Sequence, residues 1–191
     1  MPDGTPQPVV AILGDDRITL VGAVPSQSAA GAVAELATAT SAFSDLPIDN
    51  QLTINPGVPL DLAVRLVELQ SSWFAESSDH VTPDRAVQLD RVVDVLNASP
   101  HLTLAVVGHA DQRGADEANL QLSRRRAEAV VAYIVNGGID GGRLSASGRG
   151  EADLLSNDDD AASLTVNRRL EFVFLGLFTQ PPTVVTTAAS A

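Results

Sequence analysis

The chain of 191 residues contains no cysteine and no lysine. Without cysteine there is no disulfide framework, no thiolate zinc site, no thiol nucleophile and no cysteine to carry a lipid anchor. Without lysine every permanent side-chain cation is a guanidinium, a bias we assign to genome composition rather than to function. Positive charge is scarce overall: 12 arginines face 24 acidic residues, for a net charge of −12. So acidic a balance argues against a nucleic-acid partner, because a duplex-binding surface needs a basic face. No run approaches the roughly 18 apolar residues of a membrane-spanning helix. The N-terminus, MPDGTPQPVV, lacks the basic and apolar regions of a signal peptide, so any targeting segment is expected upstream or already removed.

Enzyme signatures are missing as well. His80, His101 and His109 fall in neither His-x-x-x-His nor His-Glu-x-x-His spacing, and there is no G-x-S-x-G elbow or phosphate-cradling P-loop. The acidic run at 157–160 has neither the spacing nor the glycine of a calcium loop. A non-enzyme without metal or cofactor is expected. With 45% hydrophobic and 19% charged residues the chain is globular in composition, and its length suits one generous domain or two small ones.

Residues 9–13 and 17–22 are short apolar runs separated by Gly14-Asp15-Asp16, which predicts a hairpin. Residues 26–40 carry Ala29, Val33, Leu36, Ala37 and Thr40 at helical spacing, and Ile48, Leu52 and Ile54 alternate like a half-buried strand. Asn55-Pro56-Gly57 closes this ββαβ unit. Over 58–70 the residues Leu62, Val64, Leu66, Val67 and Leu69 predict a linking helix. A strand is expected over 71–76, around Trp73 and Phe74. Thr82-Pro83-Asp84 marks a helix start, with Ala86, Leu89, Val92, Val93 and Leu96 as its buried stripe. Further strands are expected over 102–107, 143–148 and 169–175. The second of the two later helices buries Ala127, Val130, Val131 and Ile134, and ends at Gly137-Gly138. Residues 179–191 read as a disordered tail.

The stretch GHADQRGADEANLQLSRRRA, residues 108–127, poses the main question. Ser123 reads as a helix N-cap, which would put Arg124, Arg125 and Arg126 in a first turn whose own partial charge is positive. Such a placement calls for an anion, or for a carboxylate supplied from elsewhere in the chain. Pairing of Arg124 and Arg125 with Asp116 and Glu117, or solvation, is the plainer expectation for those two, and His109 is expected to be a hydrogen-bonding strand-end residue.

Two resemblances follow from these residues. DDRITLVGAVPSQSAA, a short helix and DNQLTINPG resemble a BON domain over about residues 7–57, without that family's first helix. The likeness implies phospholipid or envelope-protein contact through this module and carries over no ligand residue. Residues 71–175 resemble the OmpA-like C-terminal domain on Phe74, Thr82-Pro83, Leu89, GHAD at 108–111, Gly114, Asn119, Leu122-Ser123, Arg126-Ala127, Val130, GRGE at 148–151 and NRRLE at 167–171.

This second resemblance implies a βαβαβ fold with a further short helix and strand, an α/β sandwich of helices on a mixed sheet, binding the peptide stem of peptidoglycan. Asp111 and Arg126 would hold the amino and carboxylate groups of diaminopimelate, Arg168 would line the same site, and Asn119 would order the loop or bond the ligand. Gly114 would supply a backbone angle, and Ala110 stands where the family more often has threonine. Ser163-Leu164 and Leu154-Leu155 also depart from the pattern, in the last loops. The expected organisation is thus a partial BON-like module (1–57), a linking helix (58–70), an OmpA-like domain (71–178) and a tail. The expected function is a non-covalent cell-wall tether in the envelope. The alternative keeps the fold as a protein-interaction or homodimerisation module, with Asp111 and Arg126 closed on each other.

Overall fold

The computed structural model describes residues 8–14, 16–41, 46–68, 74 and 78–179. In chain order the strands and helices are β1 (Val9–Leu13), β2 (Ile18–Val24), α1 (Gln27–Thr40), β3 (Ile48–Ile54), β4 (Val64–Glu68), α2 (Pro83–Ala98), β5 (Thr103–Gly108), α3 (Asp116–Asn136), β6 (Leu144–Gly148), α4 (Ala161–Asn167) and β7 (Leu170–Leu175). The seven strands among the described residues join one mixed sheet in the order β3-β2-β1-β4-β7-β5-β6.

The N-terminal part forms as its sequence predicts. β1 and β2 pair antiparallel with Leu13 opposite Ile18, and Gly14 N–H donates to Arg17 O to close the hairpin. Ser26 caps α1, its hydroxyl accepting from Ala29 N. The alanines of its buried face let the helix sit close on the strands. β3 departs from expectation. It is an edge strand, and Ile48 and Ile54 are 40% and 48% exposed, so it is paired but not half-buried.

The larger correction concerns residues 58–70. Instead of a linking helix the chain forms β4, parallel to β1 on one side and antiparallel to β7 on the other. Leu62, Val64 and Leu66 satisfy a period of two as well as a helical one, and a strand with neighbours on both sides draws apolar residues to both faces. Val64 and Leu66 enter the core while Val67, on the other face, is buried too. The strand expected over 71–76 lies outside the described residues except for Phe74, which is buried. Beyond Thr179 the expected tail also lies outside them.

α2 begins at Pro83 with Thr82 in the cap position, although the Thr82 hydroxyl makes no capping bond. Its buried side carries Gln88 in addition to Leu89, Val92, Val93 and Leu96, whereas Ala86 is only half-buried. Gln88 Nε2 and Arg91 Nη1 reach Thr40 O and Ser41 O at the end of α1. α2 therefore packs on α1 and α3, and one continuous core runs from Val9 to Phe178. Arg143 fastens the far end: Nε donates to Leu102 O and Nη2 to Leu96 O and Ser99 O, satisfying carbonyls left open where α2 stops.

Candidate functional site

Two glycines set where α3 lies. A Cβ at Gly108 would stand 2.1 Å from Ser123 O, and one at Gly148 would stand 2.5 Å from Arg124 N. The helix backbone thus rests directly on the carboxyl ends of β5 and β6, a contact that only glycine permits. Ser123 is not an N-cap. It lies in mid-helix, donating from Oγ to Leu120 O and accepting from Gly150 N–H, which ties the helix to the loop after β6. The helix begins at Asp116 after Ala115, with Asp116 and Glu117 in its first turn. That is the charge its dipole favours. Arg126 consequently sits about three turns into the helix, and the anomaly of arginines at a helix start dissolves. Arg124 pairs with Glu128 one turn on, and Arg125 with Asp79, rather than with Asp116 and Glu117.

Asp111 follows the end of β5. Its Oδ1 accepts from Arg113 N–H at 3.0 Å and Arg113 Nε at 3.4 Å; its Oδ2 accepts from Arg113 Nη2 at 3.2 Å and Arg168 Nη1 at 2.8 Å. Its burial favours the neutral acid, but the hydrogen bonds from Arg113 and Arg168 outweigh that and hold the carboxyl below its ordinary value. Asn119 Nδ2 is placed among three oxygens, Asp111 O, Arg113 O and Glu151 Oε2, at 2.8–3.1 Å. It therefore shapes the 111–114 turn and anchors the 149–157 loop. Gly114 adopts φ +104°, as the turn requires.

Arg126 is buried. Its Nε donates to Ser78 O at 2.9 Å, and its guanidinium carbon lies 5.1 Å from the centre of the Phe74 ring. Burial, then the nearby charge of Arg168, lowers its pKa. Arg168 follows the C-terminus of α4, whose start is fixed by Asp160 accepting from Ala162 N and Ser163 N. Ser163 and Leu164 are thus part of a capped helix, and Leu155 N–H is held by the Asn167 side chain.

A pocket of about 300 Å³ opens between these elements. It is lined by Ala110, Asp111, Gly114, Asn119, Arg126 and Arg168, all six of the residues singled out from sequence, together with Arg113 and Leu122. Arg113 escaped the sequence reading; the signal available was its place two residues after an aspartate, where an Asx turn forms. The alternative closure of Asp111 on Arg126 is not what forms: the hydrogen bonds to the carboxylate come from Arg113 and Arg168. The pocket can offer an acceptor to a cation and, 15 positions along the chain, a buried forked donor to an anion.

A second ionic group lies behind it. Glu171 is buried; Arg169 Nη2 and Nε donate to its Oε1 at 2.8 and 3.0 Å, and Arg65 Nη2 donates to its Oε2. His109 Nε2 stands 3.3 Å from Oε1 without hydrogen-bond alignment, so the hydrogen bond expected of this strand-end residue does not form. Burial raises the Glu171 pKa, yet His109, Arg169 and Arg65 prevail and bring it to about 2.

Residues 73–168 match the model of the OmpA family. The chain is 29% identical over 169 residues to the peptidoglycan-binding protein ArfA of Mycobacterium tuberculosis, covering 83% of this chain and 51% of that protein. It thus spans about half the length of this relative. To the peptidoglycan-associated lipoprotein of Haemophilus influenzae it is 32% identical over 147 residues, covering 76% of this chain and 94% of that one. Among solved structures, the peptidoglycan-associated lipoprotein from Burkholderia pseudomallei aligns with a TM-score of 0.52 at 29% identity, over 55% of this chain and 88% of that one. The periplasmic domain of Helicobacter pylori MotB aligns at 0.51 and 18% identity, over 62% and 78%, a likeness of fold alone. On the matched length, the shared α/β architecture and the order of its motifs, the chain belongs to the OmpA family.

Proposed function

We propose that the protein binds peptidoglycan non-covalently and serves as a wall tether in the cell envelope. The observation that supports this most directly is a single pocket in which the Asp111 carboxylate and the Arg126 and Arg168 guanidiniums converge. A diaminopimelate centre is a zwitterion. Its ammonium needs an anionic acceptor and its carboxylate a forked cationic donor. In this reading Asp111 takes the ammonium and Arg126 the carboxylate, with Arg168 adding positive field. Asn119 and Gly114 keep the turn open, and Ala110 leaves the wall of the pocket apolar. The net charge of −12 opposes approach to an anionic wall only within about 8–10 Å at physiological salt, so local contacts decide. The N-terminal ββαβ unit would act as a BON-like contact with lipid or another envelope component, a role open to vesicle co-sedimentation.

The test is titration of a diaminopimelate-containing stem peptide into wild type, Asp111→Ala and Arg126→Ala, by calorimetry or NMR. Saturable binding by wild type that falls at least tenfold in each variant is the expected result. A folded wild type that does not bind would leave the fold assignment intact and remove the tether function.

A further inference from the structure

On the tether reading Arg126 grips a carboxylate, so whatever aims Arg126 takes part in binding. Its long side chain leaves the middle of α3 with many rotamers open to it. Two of its contacts bear on its aim. Nε donates to Ser78 O at 2.9 Å, and the guanidinium carbon lies over the Phe74 ring, 5.1 Å from its centre. The bond to Ser78 holds one corner of the guanidinium, and the ring acts on the cation as a whole. The face of a phenyl ring is negative, and its pull on a cation grows as water is excluded. Phe74 and Arg126 are 4% and 3% exposed, so water is excluded here. The cation needs that counterweight. Burial and then the charge of Arg168 work against it, with Asp111 and Asp79 working for it. Phe74 itself is not among the residues that line the pocket.

We propose, resting on the tether reading, that Phe74 is a positioning residue of the pocket. Its ring face holds the Arg126 guanidinium in the plane in which it meets the ligand's carboxylate, and the ring never touches the ligand. A carboxylate gains both hydrogen bonds of a guanidinium fork only when the two planes match. Ordering a loose side chain at the moment of binding costs affinity, and a side chain ordered beforehand spares that cost. The role belongs to the electrons of the ring rather than to its bulk. A saturated side chain of similar size would fill the space and leave the guanidinium to choose among orientations. The sign of the effect is informative. A ring that merely stabilised the cation of the free protein would compete with the ligand's carboxylate, so weakening the ring would tighten binding. A ring that aims the cation has the opposite effect, and weakening it loosens binding.

The experiment places phenylalanines bearing one, two and five ring fluorines at position 74, which drain negative charge from the ring face while hardly changing its size. Phe74→Leu is the saturated comparison. The stem peptide of the preceding section is titrated into each protein and into wild type, and circular dichroism and thermal melts establish that each is folded. Affinity is expected to fall stepwise with fluorine number, reaching about three- to tenfold at five fluorines, the size set by ordering one flexible side chain. Phe74→Leu should lose about as much. Without ligand, the Arg126 Nε–Hε resonance, read by NMR, should shift in the same order along the series. Affinity that ignores fluorine number or rises with it overturns the role of Phe74, while wild-type binding keeps the tether function. So does a loss confined to Phe74→Leu, which would make Phe74 a packing residue. The fluorinated series decides the matter even where Phe74→Leu fails to fold. Absence of binding by a folded wild type overturns both readings.

Discussion

Two acidic side chains at the same end of the sheet, Asp111 and Glu171, are each clasped by two arginines, and neighbouring residues supply one arginine to each. Arg168 turns to Asp111 and Arg169 to Glu171. The chemistry is the same, but the setting differs. Around Glu171 the carboxylate and Arg169 are both almost fully buried, so that pair is sealed, although the second guanidinium, Arg65, is about one-third exposed. Around Asp111 the guanidiniums of Arg113 and Arg168 stand half and one-fifth exposed at the mouth of a pocket. A sealed ion pair cannot exchange partners without unfolding its surroundings, whereas an open one can. The contrast between the buried Arg169 and the half-exposed Arg113, not the identity of the residues, separates a structural clasp from a site that can receive a ligand.

The sharpest way to break this contrast is Glu171→Ala. It leaves Arg169 buried without its anion, a change that costs about 3–5 kcal/mol. Denaturant unfolding measures it, and a loss under about 1 kcal/mol would make the two clasps alike. Acid provides a second, somewhat smaller effect. The folded pKa of Glu171 lies at about 2 against 4.5 for the free side chain. The unfolded chain therefore binds the proton first, and the stabilisation is complete above pH 4.5 and lost as pH falls toward 2. On the order of 3 kcal/mol of the acid loss across that window should be present in wild type and missing from Glu171→Gln, which keeps only the smaller loss from carboxylates such as Asp111. The smallest effect belongs to the open clasp: Asp111→Asn should change stability by no more than about 1 kcal/mol, because solvent takes up the arginines it releases. A thermal melt of that variant without ligand checks this, and a loss as large as that of Glu171→Ala would erase the distinction.

Much of this arrangement could be read before the structure. Helical spacing marked α1 and Thr82-Pro83 marked the start of α2 because both signals act locally, and Gly14-Asp15-Asp16 marked a hairpin for the same reason. The six candidate pocket residues came from a family likeness in which spacing is informative over a hundred positions. What escaped depended on distant partners. β4 reads as a helix because flanking strands 50 residues before it and a hundred after it make both of its faces apolar surroundings. Ser123 reads as a cap because its acceptor role toward Gly150 lies 27 positions away. The Glu171 clasp draws Arg65 from 106 positions upstream. Sequence spacing contains no trace of that encounter.

The pairing of β4 has a mechanical meaning. β1, β4 and β5 all run in one direction. Val9 therefore enters the sheet at the end opposite to the one from which Asp111 emerges. A pull applied at Val9 and resisted at the pocket acts along the strands rather than across them. It loads the hydrogen bonds between β1 and β4, and those between β4 and β7, together in shear, instead of opening them one after another like a zip. A chain held from its N-terminal side and gripping the wall at Asp111 would carry tension through the middle of its sheet, along its strongest axis.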